Sequence, residues 1–317
     1  MARLTAGPAC AWALVLLAGC AVGAPPAPAP EWSLRLHELQ ARGQRLVAQG
    51  ELERARGAYE EARLLAESLD DLPGLILALN GLGYVAVAEG QVGEALNLHQ
   101  RALDLAWEVG RPDLLTDSLA RLGTAFQLAG ESAKASSLYD QALASARSAG
   151  NRHSEAVLLN NIGLVELKAG GRAKAGDSFK AALAINQELN DRSAQAANLA
   201  NLGLLAEQAE QWVEAQSRFE AALELDKAGE NRAAIASDLA GLARAAQRQE
   251  RKAAALSYAQ RAYWSYRATG DIPKALTELN RAMALLRDLG RQQEAAQFEA
   301  ELKSLRDAST QSEPSPP

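Results

Sequence analysis

Four groups of residues carry chemistry by type, and their spacing decides what each can do. Gly81-Leu82-Gly83-Tyr84-Val85-Ala86 has the glycine spacing of a loop that cradles a dinucleotide phosphate. Such a loop needs a strand before it and a turn at the glycines. Here the residues lie within a helical pattern, and Gly83 belongs to a set of small residues that returns every 40 positions. Packing is therefore its expected role. The only histidines are His37, His99 and His153, and none is spaced with another histidine or a cysteine as a metal site requires. His99 stands in the slot that Tyr139, Phe179 and Phe219 fill in other copies, which makes it a core residue. Glu60-Glu61 and Asp70-Asp71 are paired carboxylates on expected helix surfaces and turns, where a solvated face accounts for them. No nucleophile has a base at a suitable spacing, so the chain is expected to be no enzyme and to use no cofactor or metal.

The fourth group is a cysteine. Met1-Ala2-Arg3 is followed by an apolar run centred on residues 11–17. That run is shorter than the roughly 20 residues a bilayer span needs and fits a secretory signal core. It ends in Leu17-Ala18-Gly19-Cys20, which resembles the bacterial lipobox, where a peptidase cuts before a cysteine that carries lipid. The other reading of the same residues is an ordinary signal cut near Ala21 or Ala24. Cys10 would leave with the signal, so Cys20 would remain without an intrachain disulfide partner. Residues 1–19 are thus expected to be a lipoprotein signal peptide, and residues 20–30 a proline- and alanine-rich tether on lipidated Cys20. By resemblance to enterobacterial lipoproteins, Ala21 after the cysteine implies the outer membrane, facing the periplasm.

The elements that would position any site come from one period. Asn80-Gly81-Leu82-Gly83, Ala120-Arg121-Leu122-Gly123, Asn160-Asn161-Ile162-Gly163, Ala200-Asn201-Leu202-Gly203 and Ala240-Gly241-Leu242-Ala243 are 40 residues apart. Alanine follows twelve residues later, from Ala55 to Ala295, and again nineteen later, from Ala62 to Ala262. Leucine precedes by four, and Tyr59, Tyr139, Phe179 and Phe219 follow by sixteen. A fixed period of this length is the mark of a solenoid. Glycine inside a helix costs roughly 1 kcal/mol relative to alanine. Its recurrence implies close approach of a second helix, with the alanines as contact points.

These spacings resemble the tetratricopeptide repeat family, in the 40-residue form of kinesin light chains. The resemblance implies an all-α solenoid of about seven tandem helix pairs, residues 31–306, forming a right-handed superhelix. Ala282-Met283 and Arg42-Gly43 depart from the leucine-glycine pair at the two ends. Residues 307–317 carry no periodic apolar residue and are expected to be a disordered tail.

In this family the first helix of each pair lines a concave groove. Its slots lie six, three and two residues before the small residue and one, four and five after it. They hold Arg121, Lys168, Arg244, Arg248, Arg281 and Arg287 against Asp117, Glu207 and Asp288, a net of +3. The whole chain is formally −6, and −7 without Arg3. The same slots hold Asn80, Asn160, Asn161, Asn201 and Asn280, whose amides suit a peptide main chain. The expected partners are envelope proteins offering extended or helical segments, with the membrane reached through the lipid. The acidic balance carries no nucleic-acid footprint. Three functions fit: an adaptor scaffold, a dedicated assembly factor for one outer-membrane machine as in pilotin-like lipoproteins, and a hidden enzyme or small-ligand sensor. The lipobox is testable at once: Cys20→Ser should abolish incorporation of radiolabelled palmitate, and equal labelling of parent and variant would refute it.

Overall fold

The computed structural model describes residues 30–311. The signal, Cys20 and all but the last residue of the tether lie outside them. Fourteen α-helices follow one another without a strand among the described residues. They pair as α1 (Glu31–Ala48) with α2 (Leu52–Ser68), α3 (Leu72–Ala88) with α4 (Val92–Val109), α5 (Pro112–Leu128) with α6 (Ser132–Ser148), and α7 (Arg152–Lys168) with α8 (Arg172–Glu188). The series continues with α9 (Arg192–Gln208) and α10 (Trp212–Ala228), α11 (Arg232–Arg248) and α12 (Lys252–Ala268), then α13 (Ile272–Asp288) and α14 (Gln292–Gln311). Each helix packs on its two sequence neighbours, and the odd-numbered helices also touch one another across copies. The first helices therefore line one common face, and the second helices form the outer layer.

The turns repeat at half the sequence period. Every twentieth residue from Gly50 to Gly290 adopts positive φ, closing one helix before the next begins. Glycine fills eight of these positions at no steric cost; Asp70, Asn190, Glu210, Glu230 and Glu250 hold the same conformation with a side chain. The residue after each inter-copy turn then caps a first helix. Asp71, Asn151, Asp191, Asn231 and Asp271 each accept a hydrogen bond from the backbone N–H three residues on, whereas Arg111 has no capping side chain. Pro73, Pro112 and Pro273 sit in first turns, where no donor is lost.

The alanines expected as contact points are buried in every copy. The mid-helix glycines do something different from what their spacing implied. Their close neighbour is an aromatic ring, not an alanine. A Cβ on Gly163 would lie 2.5 Å from the Phe179 ring, and one on Gly123 2.9 Å from Tyr139. Gly83 meets His99 at 2.5 Å and Gly203 meets Phe219 at 2.9 Å. Where the ring is missing, so is the glycine: Ala243 pairs with Ala259, and Met283 with Glu299. The helix–helix spacing is thus set by a ring on one side and a bare backbone on the other.

The last helix gives a second correction. It runs to Gln311, so residues 307–311, expected to be unstructured, continue α14. Asp307-Ala308-Ser309-Thr310-Gln311 contains neither glycine nor proline to stop a helix. The polar outer face expected of a terminal copy is present, with Gln292, Gln293, Gln297, Glu299 and Lys303 exposed.

The ring–glycine pairing predicts strong coupling. Gly163→Ala should destabilise the array by about 1–3 kcal/mol through overpacking. Phe179→Ala alone should cost about 3–5 kcal/mol. The double variant copies the Ala243–Ala259 pair and should cost less than the sum by about 1 kcal/mol or more in chemical denaturation; strict additivity would remove the contact from the argument.

Candidate functional site

The groove on the first-helix face is built from the slots read in the sequence, but its electrostatics differ from the count. Arg121 Nε donates to both oxygens of Asp117 at 2.9 and 2.8 Å. Arg244 makes a two-pronged pair with Glu207, at 2.6 and 2.9 Å. Arg281 Nε donates to Glu278 at 3.0 Å and its Nη1 to Gln247 at 2.8 Å. Arg287 is bonded to Glu299. Glu278 and Glu299 were outside the counted slots, and with them the net of +3 is largely cancelled. Arg248 lies over the Trp212 ring, 4.9 Å from its centroid. Lys168 is exposed, with no carboxylate partner among the described residues.

The asparagines divide similarly. Asn80 is buried and fully engaged: its amide donates to Asp117 Oδ2 at 3.1 Å and Ser118 Oγ at 3.0 Å, and its oxygen meets His99 Nδ1 at 3.0 Å. It braces the groove wall and offers nothing to a peptide. Burial, and next the nearby Arg121 charge, push His99 down to about 4, so it is neutral at physiological pH and acts here as a packed, hydrogen-bonded ring. Asn160 Oδ1 accepts from Asn198 at 3.0 Å and Asn201 at 2.8 Å, leaving its own amide N–H groups for a ligand. Asn161 is half-buried in the same wall. Asn280 is exposed but donates back to Leu276 O at 2.8 Å.

One row of side chains was not anticipated. Five residues before the small residue stand Ser118, Asn198, Asp238 and Glu278, all buried. Ser118, Asn198 and Asp238 each face a polar group of the preceding copy, whereas Glu278 is bonded to Arg281 of its own helix. Asn198 accepts from Asn186 at 2.7 Å; forty residues later the same two positions are Asp238 and Asp226. Asp238 is 1 % exposed and its Oδ2 has no hydrogen-bond partner. Burial, reinforced by the charge of Asp226, pushes its carboxyl up to about 8, and Asp226 is raised as well, by burial. The recurrence of polar residues at a fixed slot was the available signal.

Groove chemistry also changes along the array. Leu77, Tyr84, Leu128, Val157 and Leu204 are exposed apolar residues in groove slots of the second to fifth copies, whereas the slots of the last two hold Arg244, Arg248, Arg281, Arg287 and Asp288 and no large apolar residue. A cavity of about 440 Å³ opens at the amino-terminal end, lined by α1, Tyr59, α3 and the Asp117–Arg121 pair. Among the described residues, no group of three His, Cys, Asp or Glu side chains could hold a metal ion.

Profiles described as tetratricopeptide repeat match residues 114–188 and 199–233. The chain carries tetratricopeptide repeats. Solved structures agree on the fold. The apo form of RapI is 14% identical, with a TM-score of 0.66 over 89% of this chain and 100% of that one. The Rap protein complexed with Competence and Sporulation Factor is 15% identical, with a TM-score of 0.62 over 88% of this chain and 76% of that one. Pseudomonas aeruginosa pilF is 20% identical, with a TM-score of 0.54 over 78% of this chain and 93% of that one. Comparison with curated protein sequences found no match.

The acid pair in the tetratricopeptide array fixes a pH dependence. Asp238 has a raised pKa in the folded state, so between about 4 and 8 the native chain holds a proton that the unfolded chain has released. Stability therefore falls as pH rises through that window and levels off above it. Asp238→Asn reproduces the amide found at Asn198 and cannot ionise. It should raise Tm at pH 8 by about 2 °C or more, with little change at pH 4. A gain of equal size at both pH values would contradict this assignment.

Proposed function

We propose that this tetratricopeptide array is a non-enzymatic scaffold that holds a segment of a partner protein in its first-helix groove. The observation that carries the reading is the groove itself. Exposed apolar side chains in four successive copies share one face with Asn160 amide groups and Lys168. A partner segment would bury Leu77, Tyr84, Leu128, Val157 and Leu204 and find hydrogen-bond donors between them. Burial of apolar area contributes about 25 cal/mol per Å² before ordering costs, so a handful of such side chains supports a specific but reversible contact. The similarity to a Rap protein complexed with Competence and Sporulation Factor supports a fold that accommodates a bound factor.

The amino-terminal residues extend this proposal. No described helix is long and apolar enough to cross a membrane. A lipid on Cys20, followed by the proline-rich tether, would place the scaffold at the surface of the bacterial outer membrane, facing the periplasm. Two or three acyl chains, at about 0.8 kcal/mol per buried methylene, would hold it there stably. The partners are then other envelope proteins.

A photo-crosslinking residue at Val157, inside the groove, should give adducts with a discrete protein in intact cells. The same residue at Val213 or Trp107, on the outer helices, should give none. Adducts from the outer positions alone would move the interaction to the convex surface and overturn the groove reading.

A further inference from the structure

The cavity at the amino-terminal end of the groove is lined by Gly81 and by the Tyr59 ring packed against it. The equivalent slot holds Arg121, Asn161 and Asn201 in the next three copies. A Cβ on Gly81 would lie 2.4 Å from the Tyr59 ring, so that ring forms the floor directly against bare backbone. Leu77 and Tyr84 rise from α3 on either side and are exposed, with Val47 of α1 facing them across the gap. Its volume of about 440 Å³ lies at the small end of the range for small-ligand sites.

The polar end of the cavity is neutral and held in place. Asp117 is fixed by Asn80, which is fixed in turn by His99 and Ser118. Arg121 spends its Nε on Asp117, while its two Nη groups have no protein acceptor among the described residues. A carboxylate entering here would meet Asp117, and an ammonium would meet Arg121. A neutral group with both a flat apolar face and a hydrogen-bonding edge meets neither obstacle. Its face can lie on the guanidinium plane and the Tyr84 ring, and its N–H or O–H can donate to Asp117.

We infer that this cavity receives one aromatic side chain with a polar edge, tryptophan or tyrosine, from the partner segment in the groove. The inference rests on the scaffold reading for the source of that side chain, but the cavity can be tested without any partner. Saturation-transfer NMR on the full chain would compare N-acetyl-tryptophanamide, N-acetyl-tyrosinamide, N-acetyl-leucinamide and the free acid N-acetyl-tryptophan. The two aromatic amides should bind, and the leucine amide and free acid should bind at least tenfold more weakly. Leu77→Glu and Tyr84→Ala, both at exposed positions, should weaken the aromatic amides at least tenfold with thermal unfolding unchanged. Arg248→Ala, at the far end of the groove, should leave them unaffected. Equal binding by the leucine amide, tighter binding by the free acid, or indifference to both cavity variants would each overturn the assignment. Such failure would leave the scaffold reading standing, whereas crosslinks confined to the convex side would remove that reading alone.

Discussion

Everything in this array depends on how close two helices of a pair can come, and a ring against a bare backbone sets that distance. Tyr59, His99, Tyr139, Phe179 and Phe219 each lie on a glycine of the preceding helix. An aromatic side chain buries 150–250 Å², which offsets the roughly 1 kcal/mol that glycine costs inside a helix. The pairing also explains the exceptions. Without a ring at Ala259, the facing residue can be Ala243; with Glu299 in the slot, Met283 supplies the volume from the other side. Spacing is conserved within the chain by trading volume across one contact.

That contact also shapes the groove. Tyr59 and Phe219 have glycine on both sides, Gly43 with Gly81 and Gly203 with Gly241. In each case the second glycine belongs to the next first helix, so the ring spans two copies. Around Tyr59 the result is an open cavity. Around Phe219, Arg244 and Glu207 are joined across adjacent copies at the groove surface. The same backbone arrangement is thus left hollow at one end of the array and carries a salt bridge near the other, and only slot chemistry separates them.

The sequence disclosed the architecture because its signals were periodic. Forty-residue recurrence fixed the helix pairs, the turns at residues such as Gly50 and Gly150, and caps such as Asp71 and Asn231. The groove slots followed from the family resemblance laid on the same register. The sequence was less informative about what each slot residue does, because that depends on partners in neighbouring copies. Asn80 and Asn160 occupy the same slot, yet one is buried beneath Asp117 and the other keeps its amide free. The basic surplus failed for a related reason: Glu278 sits one residue outside the counted pattern and is drawn in by burial of its helix face. Periodicity locates positions, and pairing decides their charge.

The buried polar row carries this further. Ser118, Asn198, Asp238 and Glu278 sit in one geometric slot, yet each is met differently: the first three face the Asn80 amide, Asn186 and a second carboxylic acid across a junction, and Glu278 is bonded to Arg281 of its own helix. A solenoid's stability is approximately a sum of copies and the interfaces between neighbours. Replacing one polar pair therefore alters one junction and leaves the others intact. The Asp226–Asp238 junction is the only one of the three where the two facing groups repel when both are ionised. It is thus a place where rising pH loosens the array, between the apolar part of the groove and its charged end.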